Sequence, residues 1–191
     1  MGKKIKNDMV ILKALAFAAE KHRGHRRKDA EATPYINHLV TVALLVAEAC
    51  REVDREVVAA ALLHDTLEDT DTSPGELEAV FGPRVRGLVE EVTDDKTLPK
   101  ARRKELQVAH APSLSREASM VKIADKISNV RDILERPPAR WTEARRREYL
   151  AWAAKVVTRC PKTGTDLERI FSETLAGGRK KGIGEEDISR R

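Results

Sequence analysis

Val57-Val58-Ala59-Ala60-Ala61-Leu62-Leu63-His64-Asp65-Thr66-Leu67-Glu68-Asp69 is the stretch whose reading decides the fold. Asp54, just before it, is a good cap for a helix that carries Val57, Val58, Ala61 and Leu62 and reaches His64 near its end. Neighbours on either side keep the same helical period. Upstream, Met9, Leu12, Leu15, Ala16 and Ala19 recur at helical spacing, and a second apolar helix runs from about Leu39 to Cys50. Downstream, Ser73-Pro74-Gly75-Glu76 combines a Ser cap, a Pro at the first helical position and a Glu in the capping-box place. That helix is short and stops at Gly82-Pro83, and the next carries Val85, Leu88, Val89 and Val92.

Thr93 to Pro99 reads as a polar loop, and Arg102 to His110 as a helix. Ser115 caps a helix in which Ile123, Ile127, Val130 and Leu134 form one apolar stripe, ended by Pro137-Pro138. Thr142 opens another, with Trp152 and Val156 as core anchors, and a last amphipathic helix runs from about Gly164 to Leu175. Aromatics make up only 4% of the chain, and no run of alternating β-branched residues bounded by turns suggests a strand. The expectation is an all-α fold, a single helical bundle of about eight to ten helices over residues 1–176. A charged, glycine-rich tail at 177–191 has little to bury and is expected to be mobile.

Bulk properties fit one globular domain. With 191 residues, 41% of them hydrophobic and 35% charged, the chain can bury a core and does not have a disordered composition. No apolar run approaches the roughly 20 residues of a membrane span, and no secretory signal is evident. Cys50 and Cys160 lie in no ligand spacing and read as reduced thiols of a cytoplasmic protein. The net charge of +5 and pI near 9.3 suit an anionic partner without choosing which. Nucleic acid is a poor choice, because basic stripes interleaved with aromatics are missing.

The His64-Asp65 dipeptide is weak evidence alone. At a helix end, however, a long imidazole and a short carboxylate can converge on one ion, although neighbours on a helix project about 100° apart. Two further ligands must come from other helices. His38 stands at the head of the helix that begins near Leu39. Asp125 lies on the helix after Ser115, where Asp125, Asn129 and Asp132 share a polar stripe at i, i+4 and i+7. Two imidazoles and two carboxylates suit Mn²⁺, Fe²⁺ or Zn²⁺, and no cysteine offers a closed structural zinc site. His22, His25 and His110 read as solvent-facing or hydrogen-bonded.

Five segments then appear in order: His25-Arg26-Arg27-Lys28-Asp29, Thr33-Pro34-Tyr35-Ile36-Asn37-His38, Ala61 to Thr70, Val89-Glu90-Glu91-Val92-Thr93-Asp94-Asp95-Lys96, and Val121 to Asn129. Together they resemble the HD hydrolase domain of the RelA/SpoT superfamily, and most of all its small stand-alone alarmone hydrolases of the metazoan SpoT-homologue type. The likeness spans roughly Leu12 to Lys155. It implies Mn²⁺-dependent removal of the 3′-pyrophosphate from guanosine tetra- and pentaphosphate, with one metal per chain. It places His38, His64, Asp65 and Asp125 as ligands, and Glu68 and Asp69 as the acidic pair that positions or deprotonates the attacking water. By themselves those two read equally as an exposed acidic turn.

For the substrate, the resemblance implies Arg27 and Lys28 as nucleotide contacts, with Asn129 beside Asp125. Lys100, Arg145 and Tyr149 complete the set, although each cation read singly is a solvated surface charge and Tyr149 fits the core equally well. His25 stands where the family has Gln, and Ser128 where Tyr is common, so base preference is open. Adenosine alarmones or NADPH, losing its 2′-phosphate, are the alternative substrates. A basic nucleic-acid-binding protein or an inactive HD scaffold are the non-enzymatic alternatives. Oligomeric state is not legible.

Overall fold

A computed structural model describes residues 2–50, 52 and 54–180, with side chains from residue 9 to residue 178 of that range. It is built from helices: α1 Gly2–Lys21, α2 Ile36–Ala49, α3 Arg55–Leu63, α4 Thr66–Asp69, α5 Pro74–Phe81, α6 Pro83–Val92, α7 Lys100–His110, α8 Arg116–Glu135, α9 Glu143–Arg159 and α10 Leu167–Lys180. Among the described residues the one β-type pairing is an isolated bridge between Arg26 and Pro34.

The caps written in the sequence are formed. Asp54 accepts from the backbone N–H groups of Glu56 and Val57, Ser73 from Glu76, Ser115 from Ala118 and Thr142 from Arg145. Each satisfies donors that the first helical turn leaves free. The apolar helix α3 stops at Leu63 instead of running on to Asp69. His64 and Asp65 form the joint, and α4 restarts at Thr66, whose Oγ1 donates to the Leu63 carbonyl at 2.6 Å.

Helix α8 runs through the middle. Every residue from Ala118 to Ser128 is buried, with α2, α3, α6, α9 and α10 packed around it. Ile123, Ile127 and Val130 are fully enclosed, each such side chain contributing about 1.5–3 kcal/mol through burial. The sequence pattern predicts one apolar stripe and one polar face. The structure encloses the polar face as well, so Lys122, Asp125 and Lys126 point into the molecule. Opposite, Ala14 and Ala18 of α1 let it lie close on the alanine-rich α3.

The last helix, expected from about Gly164 to Leu175, begins at Leu167 and ends later. Helix α10 continues through Gly177 and Gly178 to Lys180. Gly178 is buried, and a Cβ there would meet Leu134 Cδ2 at 2.7 Å, so glycine lets α10 seat on α8. The remainder of the expected tail, 181–191, lies outside the described residues.

Candidate active site

The joint between α3 and α4 supplies two adjacent donors, and helices α2 and α8 bring two more. His64 Nε2 lies 3.1 Å from Asp65 Oδ2 and 3.8 Å from Asp125 Oδ1. His38 Nε2 lies 3.3 Å from Asp125 Oδ1 and 3.7 Å from Asp65 Oδ2. His38, His64 and Asp65 alone bring ligand atoms within 4.8 Å of one another, a cluster able to hold a metal ion. Both imidazoles are aimed through their other nitrogen. His64 Nδ1 donates to the Ala61 carbonyl at 2.8 Å, and His38 Nδ1 is hydrogen-bonded to Ser128 Oγ at 2.9 Å. The His64 bond leaves its Nε2 directed inward, towards the two carboxylates.

That Nε2 is buried and has no hydrogen-bond partner. An unsatisfied buried nitrogen beside two carboxylates is what a cation site looks like before the cation is counted. Electrostatics agree. Burial opposes ionisation of Asp65 and Asp125, yet His64 beside the first and Lys126 beside the second hold both well below the usual carboxylate range. Burial likewise opposes charge on His64, but Asp65 outweighs it and raises the imidazole to about 9. His38 is pushed down by burial.

Glu68, on α4, faces the same space and is squeezed between elements. Its Oε2 accepts from the Asp94 backbone N–H, and its Oε1 from Arg103 Nη1, both at 3.3 Å. Burial first, then the Asp94, Asp65 and Asp69 carboxylates, push it up to about 7. Asp69 sits at the edge of the space, in an ion pair with Lys96 from the loop after α6.

From this floor a cleft of about 1260 Å³ opens outward. All the residues expected at the substrate line it: Arg27, Lys28, Lys100, Asn129, Arg145 and Tyr149. Their states differ. Arg27 is tied down, donating to Asp132 Oδ2 at 2.6 Å and to Asn129 Oδ1 at 2.7 Å. Asn129 itself donates to Asp125. Lys28 follows Arg27 in a loop pinned by Arg27 N–H to the Thr33 carbonyl at 2.8 Å. Lys100 and Arg145 are exposed at the rim, both near the Trp141 ring, at 6.0 and 4.7 Å from its centroid. Partial burial and then the neighbouring cations Arg145, Lys28, Lys104 and Arg103 lower Lys100, the mark of a crowded positive rim. Tyr149 lines the cleft and also packs on the core against Trp141 and Trp152.

A family model described as the HD domain matches residues 14–154. The chain belongs to the HD-domain family. Within it, the chain is 54% identical over 161 residues to the human guanosine-3′,5′-bis(diphosphate) 3′-pyrophosphohydrolase MESH1, covering 84% of this chain and 90% of that protein. It is 46% identical over 174 residues to the Drosophila melanogaster protein of that name, covering 91% and 95%. A solved structure, described as a metazoan orthologue of SpoT that hydrolyses ppGpp and plays a role in starvation responses, matches with a TM-score of 0.85 at 44% identity. That match covers 91% of this chain and 96% of the other.

Several residues of this HD-domain site are not legible in the sequence. Tyr35 donates its hydroxyl to Asp65 Oδ2 at 2.7 Å, and the ring of His22 stacks on Tyr35. His22 is buried and its Nδ1 lies 3.0 Å from His25 Nδ1, so the second alternative for these histidines, hydrogen bonding, is the one realised. Lys126 donates to Asp125 Oδ2 at 2.9 Å while its ammonium sits 4.6 Å from the centre of the Trp152 ring. Trp141, Arg103 and Gln107 also line the cleft. The signal for Lys126 was present in its place next to Asp125, but a lysine on a helix ordinarily reads as solvated.

Proposed function

We propose that this chain removes the 3′-pyrophosphate of guanosine 3′,5′-bis(diphosphate) and of the pentaphosphate, giving GDP or GTP and pyrophosphate. The observation that carries this reading is the juxtaposition of a buried two-histidine, two-carboxylate floor with a basic cleft of nucleotide size. The names of the relatives support the same reaction. His38, His64, Asp65 and Asp125 would hold one divalent ion. Their mixed nitrogen and oxygen set suits Mn²⁺, Fe²⁺ or Zn²⁺, and the resemblance to the alarmone hydrolases favours Mn²⁺. When bound, such an ion supplies Lewis acidity and lowers the pKa of water. Nothing in the mixed donor set requires a second ion.

The chain's own residues do the rest. Glu68, raised to about 7, is matched to neutral pH and takes the proton of the attacking water. Asp69 fixes Lys96 at the mouth, where it meets substrate phosphate. Lys100 and Arg145 bind the phosphates distant from the reacting centre, with Lys28 beside them, while Tyr149 stacks on sugar or base. Arg27 is held by Asp132 and Asn129 and so presents its remaining N–H groups in a fixed direction. Among the described residues no helix is long and apolar enough to cross a membrane. With free Cys50 and Cys160, action in the cytoplasm fits best.

The test is direct. Purified protein loaded with Mn²⁺ is expected to convert guanosine tetraphosphate to GDP and pyrophosphate, followed by anion-exchange chromatography. His64→Ala is expected to lose both turnover and bound metal. Turnover that survives in metal-free His64→Ala would overturn the reading.

A further inference from the structure

Over the donors of the floor lies a small chamber of about 140 Å³, lined by His64, Asp65 and Asp125. Its wall is largely polar, and beside those three donors it carries Lys122, Lys126, Asp94, Gln107 and Glu68. Polar cavities of this size hold ordered water, whereas dry cavities are apolar. Tyr35, Glu68, Asp94, Gln107 and Asn129 line both this chamber and the outer cleft, so they mark where the two meet.

Gln107, from α7, stands at that junction with one end of its amide fixed. Its Nε2 donates to Asp94 Oδ2 at 2.6 Å, and the Asp94 backbone N–H donates in turn to Glu68. The amide cannot turn round, because its oxygen would then face the Asp94 carboxylate with no proton between them. Oε1 is thus directed away from Asp94, and it is buried without a hydrogen-bond partner. A buried acceptor in a polar, water-sized space is completed by water. Lys122 faces the same chamber. Its ammonium donates to the Val92 carbonyl at 2.7 Å and, with three donors, has capacity to spare.

We propose that Gln107 is a water-positioning residue, whose Oε1 holds beside Glu68 the water that attacks the phosphorus bonded to the ribose 3′ oxygen. This rests on the hydrolase reading above. In-line displacement puts nucleophile and leaving oxygen on opposite sides of phosphorus. The basic rim keeps the nucleotide in the outer cleft, so the ribose oxygen departs outward and the water arrives from the chamber that the floor donors and Glu68 share with Gln107. The water oxygen bonds to phosphorus, and the bond from phosphorus to the 3′ oxygen breaks with its electron pair left on that oxygen. One water proton passes to Glu68, the 3′ oxygen takes one from solvent in the cleft, and Glu68 then returns its own to solvent. Lys122 supports the neighbouring chamber water without touching the reacting atoms.

The experiment compares wild type with Gln107→Leu and with Gln107→Met, which keeps the length but has no carbonyl. In each variant kcat is expected to fall about 100-fold, while KM, bound metal and Tm stay near wild type. The solvent deuterium isotope effect on kcat is expected to grow, because proton transfer from a poorly held water becomes limiting. An unchanged kcat, or a rise in KM alone with an unchanged isotope effect, overturns the proposal. A high-resolution crystal structure of the metal-loaded wild type gives an independent reading. A water within hydrogen-bond reach of both Gln107 Oε1 and Glu68 supports the assignment, and its absence overturns it. Wild type that is inactive on the guanosine substrate counts against the proposed reaction, and the crystallographic water then decides the role of Gln107 by itself.

Discussion

The floor and the rim of the cleft are built on opposite plans. At the floor, His38, His64 and Asp125 are buried and aimed by fixed partners: Ser128, the Ala61 carbonyl and Lys126. At the rim, Lys28, Lys100 and Arg145 are exposed, mutually repelling cations, the last two beside the Trp141 ring. The floor therefore pre-sets one geometry, and its charge is strong because little water screens it. The rim supplies field and adaptable contacts, which act on binding more than on the chemical step.

Glu68 is where the contrast can be broken hardest. Glu68→Gln is expected to lower kcat by about 100- to 1000-fold, because a proton acceptor is removed from the reacting centre. The same change is expected to stabilise the metal-free protein. Folding raises Glu68 from 4.5 to about 7, so between those values the folded chain holds a proton that the unfolded chain has lost. Stability then falls as pH rises through that window, by about 3 kcal/mol at full extent. Urea denaturation should show Glu68→Gln more stable than wild type at pH 8, with the gain vanishing towards pH 4.5. A gain that instead appeared only at low pH would mean that Glu68 is not held up by burial.

A smaller effect belongs to the rim. Lys100→Ala and Arg145→Ala are each expected to raise KM about tenfold, the scale of one charge-assisted hydrogen bond. Bound metal should stay unchanged and kcat within a few-fold, with a KM less sensitive to salt than that of wild type. A fall in kcat at constant KM would place these residues in the chemical step and erase the division between floor and rim. The smallest effect lies far from both. Gly178→Ala gains about 1 kcal/mol of helix propensity but pushes on Leu134, so thermal unfolding should shift by no more than a few degrees and turnover not at all. A large loss would show that the seat of α10 on α8 is as unforgiving as the floor.

The motifs were legible because they are local. The caps at Asp54, Ser73, Ser115 and Thr142 and the apolar periods between them each depend on residues within a turn or two, and the structure forms them as written. The all-α architecture, the His64-Asp65 joint at a helix end and the basic balance follow from the same short-range information. What tertiary structure alone decided is which polar residues are enclosed. Lys122, Lys126 and Gln107 have the composition of a solvated helix face, and only the burial of α8 on every side and the approach of α7 turn them inward. Gly178 reads as part of a tail, yet it lies in α10 against Leu134, over forty positions earlier in the chain, which takes the space a side chain would fill. Periodicity reports which residues share a face. Whether that face meets water or another helix is set by packing between distant segments, and that is where the polar chamber over the floor arises.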